Sequence, residues 1–136
     1  MKLIASTRVE GATGYAQKIR SGGHDLTADE PTSAGGTDTG PSPYGLLLSS
    51  LGACTSITLR MYAQKKGWEL GTITVELKHF KDAESDKIER ELRFGAPLTD
   101  EQRAKLLDIA SKTPVTRTLM RGTPIETRIA EASASS

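Results

Sequence analysis

The sequence predicts an α+β domain built in two layers. Three features predict it. Short runs of strict apolar/polar alternation stand at both ends of the chain and in its middle. One long, mostly apolar helical stretch separates them. The order is strands, long helix, two strands, helix, short helix, strand, which favours helices layered on one face of a sheet. A length of 136 residues suits one core, expected over residues 1–130. Residues 131–136 carry no apolar anchor and are expected to fray.

Each element has its own local cause. Residues 2–10 and 15–20 read as strands around a Gly11–Gly14 turn. Gly22 and Gly23 break the chain again, and 24–29 reads as a third short strand. Residues 31–42 form a polar, Gly-rich loop. Pro43 suits a first helical turn, Ser42 can cap it, and Lys65, Lys66 and Gly67 close it. Leu47, Leu51, Cys54, Ile57 or Thr58, and Met61 fall on one expected stripe of that helix. Leu46, Leu48, Ala53 and Leu59 widen it to most of the circumference.

Residues 72–80 alternate, with Ile73, Val75 and Leu77 on one face. A charged connection over 81–87 leads to a second alternating run, 88–94. Ile88, Leu92 and Phe94 point inward there, and Arg90 shares their parity as an anomaly. Thr99 to Gln102 reads as a capping box that starts a helix through Leu106, Leu107, Ile109 and Ala110. Pro114 ends it, one or two further turns run to Gly122, and Ile125, Thr127 and Ile129 suggest a last strand.

Composition excludes several classes of function. With 18 basic and 17 acidic residues, the net charge of +1 offers nothing to nucleic acid or to anionic membranes. A single cysteine forbids an internal disulfide and a multi-thiolate metal site. No secretory leader is visible, and the stretch around residues 46–62 is too polar to span a bilayer, so a cytoplasmic protein is expected. A hydrophobic share of 36% is modest for a monomer, so a second chain is expected to supply part of the core.

The individual motifs are mostly bland. The Gly-rich loop lacks the Lys-Ser/Thr ending of a phosphate-binding loop. His24 and His79 have no second ligand at metal spacing, and no metal or cofactor is expected. Asp82, Glu84 and Asp86 lack the glycine and terminal glutamate of a calcium loop. Ser49 and Ser50 lack a nucleophile-elbow setting.

Three stretches carry a resemblance. Residues 36–55 (GTDTGPSPYGLLLSSLGACT) resemble the Gly-rich loop and central helix of the OsmC/Ohr superfamily, with the helix cysteine of that family falling on Cys54. Residues 58–63 (TLRMYA) continue the helix as in one OsmC-like subfamily. Residues 112–119 (KTPVTRTL) resemble the second motif, in which a cysteine precedes the Pro-Val pair. The resemblance implies two central helices wrapped by mostly antiparallel sheets, in an intertwined homodimer. It also implies reduction of organic hydroperoxides by a cysteine pair, with an arginine and a glutamate near the reactive thiol. Here Thr113 stands at the second-cysteine position and Tyr44 at the glutamate position. Arg20 is the nearest match to the arginine, with Arg8 the alternative, and Arg117 could face the same pocket.

Cys54 therefore carries two readings. In the first it is a peroxidatic thiol with Arg20 as its charge partner, acting on a small apolar hydroperoxide. Thiolate is the nucleophile, so the site must favour ionisation of a group whose free pKa is ~8.5. Without a second cysteine, turnover needs an external thiol reductant. In the second, Cys54 is a small core residue, and the protein binds an apolar ligand at the dimer interface without catalysis.

Overall fold

The computed structural model describes residues 1–131; the expected frayed tail lies almost wholly outside them. Three strands come first: β1 (Thr7–Glu10), β2 (Gln17–Ser21) and β3 (His24–Ala28). They form one antiparallel sheet in the order β1-β2-β3. A single 3-10 turn at Thr32–Ala34 interrupts the Gly-rich loop. Then come α1 (Pro43–Lys66), the hairpin β4 (Ile73–Lys81) and β5 (Asp86–Phe94), α2 (Asp100–Ala110) and α3 (Pro114–Arg121). The architecture is α+β with antiparallel sheets, as the alternation predicts.

The Gly-rich loop is organised by one carboxylate. Asp29 is buried and accepts from the backbone N–H groups of Glu30, Thr37 and Thr39 and from both threonine hydroxyls. These bonds hold its carboxyl far below the ordinary carboxylate range, the Thr39 hydroxyl contributing most. The loop therefore leads into α1 with a fixed course.

The ends of α1 follow local chemistry. The Ser42 hydroxyl accepts from the Gly45 N–H at 3.1 Å, Pro43 opens the first turn, and Gly67 closes the helix at φ 68°. The middle of α1 lies against β4, where a Cβ on Gly52 would collide with Leu77. Leu59 and Ala63 of α1 pack with Leu70, Leu106 and Ala110 into the core, flanked by Trp68, Leu92 and Phe94. The Thr99–Gln102 capping box forms in both directions and starts α2.

Two expectations change. The buried stripe of α1 is Leu51, Thr55, Leu59 and Ala63, whereas Ile57 and Met61 stay 56% and 58% exposed. The helix is apolar on more sides than one chain can cover, so periodicity alone does not choose the buried side. Residues 123–131 form no strand: a strand needs a paired edge, and Ile125 and Ile129 are exposed instead.

Candidate functional site

Arg90 defines the site. It follows Ile88 and precedes Leu92 on the inward face of β5, so its guanidinium leaves the strand toward the helices. Nη1 donates to the Thr55 hydroxyl on α1 and to the Thr116 hydroxyl on α3, each at 2.9 Å. Nη2 donates to the Ala110 carbonyl at the end of α2, at 2.8 Å. One side chain thus ties together three helices and a strand. Burial pushes the Arg90 guanidinium below its ordinary value, and the charge of Cys54 acts in the opposite direction.

Cys54 precedes Thr55 on α1 and is half-buried. Its Sγ lies 4.0 Å from the Thr58 hydroxyl, one turn further along. The residue is therefore not sealed in the aliphatic core, and its neighbour Thr55 accepts from Arg90. This residue was predicted from the motif around it, and the structure places it beside the Arg90 cluster.

Thr113 is fully buried and caps α3, accepting from the Thr116 N–H at 3.3 Å. Its hydroxyl also lies 2.6 Å from that of Thr116, which accepts from Arg90. The position where the resemblance expects a second cysteine is thus joined to the same guanidinium through one hydroxyl.

Tyr44 sits in the first turn of α1, away from this cluster. Its ring meets His79 edge-on at 4.8 Å between centroids, and its hydroxyl accepts from Lys81 Nζ at 3.1 Å, which raises the Lys81 ammonium above its ordinary value. His79 in turn lies 2.6 Å from Asp86 across the hairpin. Arg20 donates to Asp25 at 2.9 Å across the β2–β3 pair and is exposed. Arg8 lies 3.9 Å from Glu10 along its own strand, β1. Arg90 thus bonds the residue that follows Cys54, while Arg20 belongs to the separate first sheet. Sequence reasoning missed Arg90 as a site residue, although its parity on an apolar face was the signal that could have found it.

An open groove of about 890 Å³ is lined by Tyr44, Leu47 and Leu51 of α1, Arg90 of β5, Leu106 of α2 and Thr116 of α3, among others. Its lining is more apolar than polar and carries Arg90 together with His79, Asp86, Lys87, Glu91 and Arg103. Cys54 lies one helical turn beyond Leu51. Among the described residues no cluster of three or more His, Cys, Asp or Glu side chains could hold a metal. Among them, too, no helix is long and apolar enough to cross a membrane.

Comparison with known proteins bears on the family and the fold. The family described as OsmC-like protein matches residues 36–128, which include the later part of the Gly-rich loop, α1, the hairpin, α2 and α3. No curated protein matches. Among solved structures, one from Psychrobacter arcticus 273-4, described as an osmotic stress induced and detoxification response protein, superposes with a TM-score of 0.76 at 17% identity, covering 87% of this chain and 90% of that one. The organic hydroperoxide resistance protein OsmC of Legionella pneumophila gives 0.64 at 17% identity, covering 86% and 89%. The organic hydroperoxide resistance protein OhrB of Bacillus subtilis gives 0.60 at 24% identity, covering 85% and 90%.

Proposed function

The chain belongs to the OsmC-like protein family, and from that premise we propose that it is a stress-response protein that reduces organic hydroperoxides through Cys54. The observation that carries the reading is a half-buried thiol next in sequence to Thr55, whose hydroxyl accepts from a guanidinium that has no carboxylate partner among the described residues. Fixed positive charge stabilises negative charge on sulfur.

The chemistry balances with one external reductant class. The Cys54 thiolate attacks one oxygen of the hydroperoxide, the O–O bond breaks, and the alcohol leaves after taking a proton. Cys54 is then a sulfenic acid. A small external thiol condenses with it, releasing water and forming a mixed disulfide. A second external thiol attacks that disulfide, leaving the thiol of Cys54 and an oxidised reductant. Thr113 cannot take the place of the first external thiol, because a hydroxyl forms no disulfide.

The working unit is proposed to be a homodimer. The first sheet packs mainly on itself, leaving Val9 and Leu26 exposed, and α1 shows Ile57 and Met61 to solvent. A second copy covering these surfaces would also close the groove against water, which suits an apolar hydroperoxide. Arg20 acts on Cys54, in this reading, only from the second copy.

A second reading is favoured by one observation. The groove is large and apolar, and Thr113 offers no resolving thiol. A protein that binds a small apolar ligand and leaves Cys54 unreactive would share both features. Consumption of an alkyl hydroperoxide with dithiothreitol separates the two. Turnover that disappears in Cys54→Ser supports the enzyme, and no turnover with Cys54 labelled only after denaturation supports the binding protein.

A further inference from the structure

The charges that line the groove do not cancel. Asp86 pairs with His79, Lys87 with Glu89 and Glu91 with Arg93. Arg90 and Arg103 line it too, and neither forms an ion pair with a carboxylate among the described residues. Arg103 is exposed, so water screens it, but Arg90 is half-buried. A guanidinium on an inward strand face gives up hydration that an apolar side chain there would never have needed. Its three hydrogen bonds use both N–H groups of Nη1 and one of Nη2. A guanidinium has five N–H donors, so Nε–H and one Nη2–H make no bond among the described residues. No buried side-chain nitrogen or oxygen among those residues lacks a partner, so the unbonded Nε is reachable from outside.

We propose that the groove binds an apolar monocarboxylate, whose carboxylate is received by the two unused N–H donors of Arg90 and whose apolar body lies against Leu47, Leu51, Leu106 and Leu107. A carboxylate accepts two N–H bonds from neighbouring nitrogens of a guanidinium, which an ammonium cannot offer in that geometry. The bonds to Thr55, Ala110 and Thr116 already hold the guanidinium in place, so its side chain loses little freedom when the ligand arrives. The surroundings set the rest of the ligand. A lining more apolar than polar favours an aliphatic or aromatic body, and a volume of about 890 Å³ suits a small molecule. One negative charge matches the one half-buried cation, whereas a second would be taken out of water without a partner of its own. The inference rests on the groove being the ligand site and gives that ligand its charge. It does not depend on whether Cys54 reacts.

The test is isothermal titration calorimetry of the native chain with octanoate and with octan-1-ol, which share one alkyl chain length and differ in charge. Octanoate should bind about tenfold more tightly than octan-1-ol, the gain of a charge-assisted pair over a neutral one. Arg90→Met, with its fold checked by far-ultraviolet circular dichroism, should lose that preference and keep the affinity for octan-1-ol. Should Arg90→Met fail to fold, Leu107→Glu decides, because Leu107 lines the groove and is 64% exposed, so the fold tolerates a carboxylate there. The added charge should weaken octanoate several-fold and spare octan-1-ol. A preference that survives in folded Arg90→Met, or a Leu107→Glu chain that weakens both compounds alike, overturns the proposal. Equal binding of the two compounds by the parent overturns the charge and leaves an apolar groove. Binding of neither overturns the proposal and the groove as a ligand site together. Hydroperoxide consumption through Cys54 is measured separately with dithiothreitol, so the peroxidase reading stands or falls on its own result.

Discussion

Arg90 and Thr55 are 35 positions apart in sequence, yet Nη1 of Arg90 lies 2.9 Å from the Thr55 hydroxyl. The same nitrogen meets Thr116 at the same distance, so a single side chain bridges the helix that carries the thiol and the helix that follows Pro114. The bonds of this cluster tie α1 and α3 to β5 next to Cys54 in sequence.

Removing one acceptor should therefore be felt in stability. Thr116→Val keeps the shape but takes a hydroxyl from both Arg90 and Thr113. The expected loss is about 1–3 kcal/mol, the usual cost of leaving a buried polar group without its partner. Urea unfolding measures it, and a midpoint equal to the parent's would show that the hydroxyl network carries no weight.

The core below the cluster should be less forgiving. Leu106 is fully buried against Leu59 and Leu70. Leu106→Ala should cost ~2–5 kcal/mol, since a lost transfer term adds to a cavity. Thermal melting of the two variants side by side should place Leu106→Ala below Thr116→Val.

Cys54→Ser should abolish hydroperoxide consumption while leaving the circular dichroism spectrum and the melting temperature close to the parent's. Cys54 is half-buried and its sulfur lies 4.0 Å from the Thr58 hydroxyl, so an oxygen fits without strain. Activity retained in the variant would dismiss Cys54 as the nucleophile.

Light scattering should give a mass about twice the 14.6 kDa of one chain. Ile57→Glu, on the exposed apolar side of α1, should shift the mass toward a single chain, because a buried unpaired carboxylate opposes association. A parent mass near one chain would remove the dimer and the closed groove with it.

Acid should loosen the Gly-rich loop through Asp29. Its folded carboxyl ionises far below the unfolded value of ~3.9, so its contribution is complete above that value and is lost as pH falls toward the folded one. Asp29→Asn should melt lower at neutral pH and should lack this part of the decline below about pH 4. Melting curves of parent and variant that stay parallel through the acid range would refute the assignment.

The sequence by itself determined the elements whose causes are local. Ser42, Pro43 and Gly67 bound α1, Thr99 and Gln102 start α2, and strict alternation marks β4 and β5, because capping bonds and strand periodicity act within a few residues. It also marked Cys54 by the motif around it and Arg90 as a charge out of place. Only the tertiary structure decided what that charge meets. The sequence pointed to Arg20, but Arg20 pairs with Asp25 in the first sheet, while Arg90 bonds Thr55, the residue after Cys54. It also left residues 123–131 unpaired and chose Leu51, Thr55, Leu59 and Ala63 as the buried side of an all-round apolar helix. These outcomes depend on which surfaces meet across long stretches of chain, and no local bond or period encodes that.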